Sequence, residues 1–399
     1  MYSSSFDIQD KGRIASLDMM RGFAIFGISL VNMLAFHSPV YYLQPFEWWQ
    51  NPLDQSIYSF IDIFAQASFY PLFSMLFGYG IVILRERILQ RSESFSLIAV
   101  RRFSLLLLFG CIHAWLIWHG DILFTYAVLG FIFLLFIKLN GKILLLLGSL
   151  LYLIPNLLLV LLMFATMMLV PADIINNNYY NHELAEASVA VYQSGSFSDI
   201  TQQRIADWYY ANNPVNFIFL TFSILPLFFI GAGAAKLKWL ERVNFHKRKL
   251  FYTFLVTFTI GLLLKLLPYI TGENIGINML QDLFGGPLLA FSYGLSIALL
   301  AEKPRFRKIL MPFSYAGRLS LSNYLLQSLI ATAFFYGYGL GLYGKISVFT
   351  GTLLALAIFI CEVLVSKIWL RRFYYGPFEW VWRSFTYWKI PRWKRERTK

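Results

Sequence analysis

"ILLLLGSLLYLIPNLLLVLLMFATMML", residues 143–169, runs without one charged side chain. A helix rising 1.5 Å per residue needs about 20 apolar residues to cross a hydrocarbon core of roughly 30 Å. This stretch is therefore read as a membrane-spanning helix, and composition extends the reading to the whole chain. Of 399 residues, 58% are hydrophobic and 14% charged; the mean hydropathy is +0.59. A soluble chain of this length needs a far more polar surface. Aromatic residues, 19% of the total, gather beside the apolar runs, as in "YYLQPFEWW" (41–49) and "WYY" (208–210), where interfacial Trp and Tyr belong. No cleavable signal peptide is expected, because a polar arm precedes the first apolar run and His37-Ser38-Pro39 closes it. Cys111 and Cys361 fall in apolar runs and are read as buried thiols.

Apolar windows place ten spans near 20–37, 57–84, 101–118, 121–138, 143–170, 214–235, 249–270, 282–301, 315–339 and 346–368. The fold class is all-α: a polytopic transmembrane bundle forming a single integral membrane domain over 1–399. The basic residues Arg13, Arg21, Arg85, Arg87, Arg91, Arg101, Arg102, Lys138 and Lys142 fall in segments on one side. So do "KLKWLERVNFHKRK" (236–249), "EKPRFRK" (302–308) and the basic tail 366–399. The alternate segments hold only Arg204 and Lys345. The positive-inside rule then makes both termini cytoplasmic and 171–213 an extracytoplasmic region carrying a short helix or two. It also makes the net charge of +13 a topology signal with some attraction for lipid, rather than a nucleic-acid footprint. No soluble catalytic domain is present in this reading, so chemistry belongs in or beside the bundle.

Ionisable groups inside a membrane cost at least ~2.5–3.5 kcal/mol on insertion scales and so face protein or water. Asp62 lies inside the second span with Gln66 one turn further on the same face and Pro71 beyond. One reading makes Asp62 a carboxylate that orients an imidazole; the other makes it a satisfied carboxyl pinning helices together. His113, His119 and Asp121 surround the turn between spans three and four, either lining an outward cavity or forming an interfacial turn with Asp121 as helix cap. The histidine spacing does not suit a metal, and none is expected. In the ninth span Ser320, Asn323 and Gln327 share a face, where such residues commonly link helices. Arg318 and Glu362 both fall towards the inner half and are expected to pair; Lys265 is a further buried charge. In the first span, Asp18 and Arg21 stand three residues apart at the inner end. Asp18 favours the helix dipole, and Arg13 with Arg21 suits a cytoplasmic phosphate. His37 stands at the outer end, where an imidazole can remove a proton from a hydroxyl or amine.

Five motifs, "RIASLDMMRGFAIFGISLVNM" (13–33), "LFSMLFGYG" (72–80), "HGDIL" with "TYAVLG" (119–130), "YAGRLSLSNYLLQS" (315–328) and "YYGPFEWVWRSFTY" (374–387), occur in this order. Together they resemble the YeiB-like proteins, domain of unknown function 418, over about residues 13 to 390. The N-terminal pattern is also similar to heparan-α-glucosaminide N-acetyltransferase and the wider transmembrane acyltransferase superfamily. That resemblance implies transfer of an acyl group from cytoplasmic acyl-CoA to an extracytoplasmic acceptor. It matches Ser16, Asp18, Arg21, Gly22 and Asn32 to the first helix of that family, His37 to its catalytic histidine, and Asp62 to an Asp early in the second helix. Asn323 and Tyr324 match the polar part of a late helix, and a homodimer is expected by analogy.

The expected function is membrane acyl transfer from acyl-CoA to a hydroxyl or amine of a cell-envelope sugar or lipid, in a bacterial cytoplasmic membrane. Arg13, Asp18, Arg21 and Arg318 would receive the donor, and His37 with Asp62 would do the chemistry. Asn32, Gln66, His113, His119, Asp121, Asn323, Tyr324 and Gln327 would line the substrate cavity. The partners expected are membrane lipids and a small-molecule or glycan acceptor, with no nucleic acid. The rival is a transporter, flippase or lipid- or quinone-binding membrane protein without covalent chemistry, supported by polar groups dispersed over several helices. A structural or sensory protein is the third reading.

Overall fold

A computed structural model describes residues 14–171, 174–175 and 180–395. Every element named among them is helical, apart from an isolated bridge between Phe373 and Lys394. The helices are α1 (Ala15–His37), α2 (Pro45–Trp48), α3 (Pro52–Phe64), α4 (Phe69–Leu89), α5 (Phe95–Ile112), α6 (Leu123–Leu134) and α7 (Gly141–Leu169). They continue as α8 (His182–Ser194), α9 (Phe197–Asn212), α10 (Pro214–Lys236), α11 (Val243–Thr271), α12 (Ile275–Leu280) and α13 (Gly286–Ala301). The chain ends with α14 (Pro304–Arg318), α15 (Ser320–Phe335), α16 (Val348–Arg372) and α17 (Pro377–Tyr387). Single π-helical turns follow α5 (His113–Ile117) and α12 (Gln281–Gly285).

Eight of the described helices, counting α3–α4, α5 and α12–α13 with their continuations, are long and apolar enough to cross a membrane. The ten-window reading differs from this at two places, for physical reasons. The window 121–138 contains only the 12 residues of α6, about 18 Å of helix. The rest of its length is irregular chain, and the turn that follows is held by Lys236 Nζ, which donates to the carbonyls of Ile137 and Leu139. The window 315–339 is interrupted at Leu319, because a carboxylate from α17 ends one helix and starts the next. Glu379 accepts from the backbone N–H of Leu321 at 2.8 Å and of Ser322 at 3.0 Å, and from the Ser322 hydroxyl. Those are donors that the start of α15 cannot satisfy internally.

The second window, read as one long helix, is two. α3 stops at Phe64 and α4 starts at Phe69, with Ala67 in the left-handed region (φ 55°). Gly286 meets this break closely: a Cβ there would lie 2.3 Å from the Ala67 carbonyl oxygen.

α1 is the axis of the bundle, touching α4, α13, α14, α15 and α16. Its crossing with α14 is built on glycine. A Cβ on Gly22 would lie 1.8 Å from the Phe313 carbonyl oxygen, and one on Gly317 would lie 2.0 Å from that of Asp18. α4 and α10 cross the same way through Gly78 and Gly231. In lipid, where burying side chains gives no hydrophobic advantage over the tails, close backbone approach of this kind supplies the packing.

The loops collect at two ends. Tyr79 donates to Glu241 and Asn244 to Glu302, while Trp382 Nε1 donates to the Arg102 carbonyl, so the basic segments share one end. At the opposite end Gly344 N donates to the His37 carbonyl and Asn181 N to that of Tyr42. There α9 lies over the turn His113–Ile117, with α8 packed beside it. The cysteines are not buried as expected: Cys111 is half-buried and Cys361 exposed, since apolar helices in a bundle keep a face for lipid.

Candidate functional site

The donor-binding candidates group at the basic end. Arg21 Nη1 donates to Asp18 Oδ1 at 3.4 Å, and Asp18 is buried. The Gly317 contact sets the following residue, Arg318, at the level of Asp18. Arg102 joins them, its guanidinium 3.6 Å over the Trp382 ring, with Arg21 and Arg383 as its electrostatic neighbours. Arg13 lies outside the described residues. The expected Arg318–Glu362 pair is absent from the described contacts. Glu362 Oε2 instead accepts from Gln327 Nε2 at 2.8 Å, and one turn away Asn323 Nδ2 donates to Ser366 Oγ at 3.2 Å. These two rungs, 323 with 366 and 327 with 362, tie α15 to α16 as antiparallel neighbours. Asn323 and Gln327 thus spend their amides on helix pairing.

A different constellation occupies the half away from the basic end. The π-helical turn that ends the 95–117 span carries His113, and the loop beyond it carries Asp121. His113 Nδ1 lies 2.8 Å from Asp121 Oδ1, and Nε2 lies 2.8 Å from Ser328 Oγ of α15. All three side chains belong to buried residues. In the neutral imidazole, a carboxylate that only accepts places the proton on Nδ1 and leaves Nε2 to accept from the serine hydroxyl. The Ser328 hydroxyl is also 3.3 Å from the Tyr324 carbonyl, a longer contact than that to the imidazole. Asp121 Oδ2 accepts from Phe124 N at 2.6 Å, so the capping role read from sequence and the imidazole contact coexist on one carboxylate. The Tyr324 ring flanks His113 at 5.1 Å. Carboxylate, imidazole and hydroxyl in this order are what general-base activation of a serine requires. Ser328 was not singled out in the sequence, and neither its motif nor its spacing from His113 shows that they meet.

His37 is fully buried, its ring against Phe335 and Trp49, with a Cβ at Gly351 excluded by the imidazole at 2.7 Å. Its Nδ1 is 2.7 Å from Ser38 Oγ, and Nε2 has no hydrogen-bond partner. Asn32, a turn inward, is half-buried, and no hydrogen bond is formed by its side chain among the described residues.

Asp62 orients no imidazole. It accepts from Gln281 Nε2 at 2.6 Å and from Tyr269 at 2.9 Å, and lies 4.0 Å from Lys265 Nζ, which donates to Asp282 at 3.0 Å. Gln66, expected on the Asp62 face, sits half-buried in the break between α3 and α4 instead. The ion pairing of Lys265 depends on α11 meeting the π-helical turn, a long-range contact with no sequence signature.

His119 belongs to the cover at the end opposite the basic segments. Its Nδ1 is 3.2 Å from the Tyr192 hydroxyl and 3.9 Å from Asp207, with Tyr41 and Trp118 against the ring. Burial lowers it from an ordinary 6.5 to about 4, with Arg204 and His113 acting in the same direction and Asp207 opposing them. Between those two values the unfolded chain binds the extra proton. The resulting stability is complete above pH 6.5 and lost as pH falls towards 4. It amounts to on the order of 3 kcal/mol at most. His119→Gln is expected to flatten the decline of melting temperature over pH 6.5–4 relative to the parent, read in parallel pH series.

Residues 234–389 match the family model "Protein of unknown function (DUF418)". The chain is 38% identical over 392 residues to the uncharacterized protein YxaH of Bacillus subtilis (strain 168), covering 94% of each. It belongs to the YeiB-like DUF418 family. The uncharacterized protein YeiB of Escherichia coli (strain K12) is 30% identical over 401 residues, covering 94% of this chain and 96% of its own. A 39.9 kDa protein from the amylase 3′ region of Bacillus acidopullulyticus is 27% identical over 404 residues. The DUF418 match takes in Lys265, Gln281, Ser328, Glu362 and Glu379, whereas α1 and His113–Asp121 precede it. The likeness to YxaH extends over nearly the whole of both proteins.

Proposed function

We propose that this DUF418 protein is an acyltransferase of the bacterial cytoplasmic membrane. In this reading it moves an acyl group from cytoplasmic acyl-CoA to a hydroxyl or amine of an envelope sugar or lipid. The observation that carries the proposal is the buried Asp121–His113–Ser328 relay. Ser328 Oγ attacks the thioester carbonyl, His113 takes the serine proton and passes it to the departing CoA thiolate, and a serine ester forms. The acceptor then attacks that ester, its proton going through His113 back to Ser328. In this reading the arginines around Asp18, Arg21 and Arg318 face the donor's phosphates from the cytoplasmic side, an orientation the clustering of the basic segments supports.

His37 offers the competing base. It cannot serve an acyl group carried on Ser328: Phe335, which packs against His37, lies seven residues along α15, about 10 Å of helix. The two assignments therefore predict different variants. Protein in vesicles loaded with acyl-CoA and a sugar acceptor is expected to lose transfer in His113→Gln and keep it in His37→Gln. The opposite pattern gives the chemistry to His37.

One observation favours the non-covalent rival. The broken α3–α4 span meets the π-helical turn where buried Lys265 and Asp62 join a partly exposed Asp282, and interrupted helices around intramembrane charges characterise transport sites. Movement of a substrate without covalent change, abolished by Lys265→Met, would move the assignment there.

A further inference from the structure

α9 turns Ile200, Arg204 and Asp207 inward at i, i+4 and i+7, and all three are buried, Arg204 completely. Two of them are charged. Asp207 is satisfied: Oδ1 accepts from Tyr42 at 2.7 Å and Gln203 at 2.8 Å, and Oδ2 from Tyr192 at 2.7 Å. Arg204 is not. Its Nη1 donates to the Trp115 carbonyl at 3.0 Å and the Tyr338 hydroxyl stands near the guanidinium, while Nε and Nη2 form no hydrogen bond. No carboxylate lies within ion-pair distance of it among the described residues. A guanidinium does not give up its proton, and taking one out of water costs several kcal/mol that a single carbonyl does not offset.

We propose that Arg204 anchors an oxyanion-binding site on the outer face, taking a carboxylate or phosphate group side-on. Nε and Nη2 are the two nitrogens whose N–H bonds lie side by side on one edge of the guanidinium, the fork that pairs with two oxygens of an oxyanion. Other unsatisfied donors stand in the same layer: the Tyr336 hydroxyl, whose ring is 5.8 Å from the guanidinium, and Trp208 Nε1, on the helical turn after Arg204. The cover is thin. Phe197 lies 5.9 Å from the guanidinium and packs on Tyr338 at 5.7 Å, and these rings are 53% and 42% exposed. Rotation of Phe197, at the start of α9, opens the edge to an anion on a lipid headgroup or on a soluble molecule. The site stands apart from the acyl-transfer reading, because binding alone defines it.

Full-length protein in maltoside micelles is titrated with sodium acetate and sodium phosphate against sodium chloride at matched ionic strength. A separate series dopes the micelles with phosphatidylglycerol. A ligand held by the folded state raises the apparent melting temperature saturably. The parent is expected to gain several degrees from at least one probe, and Arg204→Gln to lose that gain. A response to acetate or phosphate identifies a soluble anion; a response to phosphatidylglycerol alone identifies a headgroup. Tyr336→Phe, isosteric and expected to fold, should raise the half-saturating concentration about tenfold, and Phe197→Ala should change it measurably. Absence of any gain in the parent overturns the proposal. So does a gain equal to the parent's in Arg204→Gln or, should that variant not fold, in both Tyr336→Phe and Phe197→Ala.

Discussion

Ser328→Ala protein is expected to lose acyl transfer by at least about 10³-fold and to form no acyl-enzyme with acyl-CoA, while folding as the parent does. The magnitude follows from how nucleophile and base act as a unit: removing either leaves only what binding and orientation contribute. The structural cost is bounded: Nε2 of buried His113 loses its partner, about 1–3 kcal/mol for a polar group left unpaired, while Nδ1 keeps Asp121. Asp121→Asn separates catalysis from architecture. An asparagine oxygen can still accept from Phe124 N, so the start of α6 keeps its cap. The amide then presents N–H groups to Nδ1, moving the imidazole proton to Nε2, where it cannot accept from Ser328. Loss of transfer in a stable Asp121→Asn protein, with mass spectrometry locating an acyl group on Ser328 of the parent, would fit a relay that does chemistry. Full transfer in Ser328→Ala would reduce Asp121–His113–Ser328 to a polar knot joining three elements.

The membrane class was readable because it depends on composition and window length, both local. Sequence windows placed ten spans, and the helices that depart from them do so through long-range contacts: Glu379 at the start of α15, and Lys236 at the turn after α6. The candidate sites divide in the same way. Asp18 with Arg21, and Asp121 with α6, are neighbours along a helix or turn and were anticipated. His113 with Ser328, and Lys265 with Asp282 and Asp62, bring together residues from separate helices, and nothing in their spacing announces it. Arg204 lay between. It is one of only two basic residues in the segments that alternate with the basic ones, and the spacing of Ile200, Arg204 and Asp207 marks one helical face. That this face is the buried one required the packing.

Gly22→Ala tests the packing on which all of these sites depend. One added carbon would lie 1.8 Å from the Phe313 carbonyl oxygen, well inside contact distance, and its neighbour is backbone that no rotamer change can move. α1 and α14 must separate, and α1 is the helix that carries Asp18 and Arg21 at one end and His37 at the other. The expected loss is about 3 kcal/mol or more, at the upper end of overpacking costs. It is read as a fall in melting temperature and in the yield of monodisperse protein. Gly294→Ala is the matched control: its Cβ would meet Leu72 Cδ1 at 3.4 Å, an ordinary contact. With alanine favoured over glycine by roughly 1 kcal/mol within a helix, that variant is expected to be neutral or slightly stabilised. The contrast isolates steric approach from helix propensity, which both substitutions change alike. Equal stability of the two variants would mean that α1 and α14 do not cross through Gly22, and the grouping of Asp18, Arg21 and Arg318 at one end would lose its structural basis.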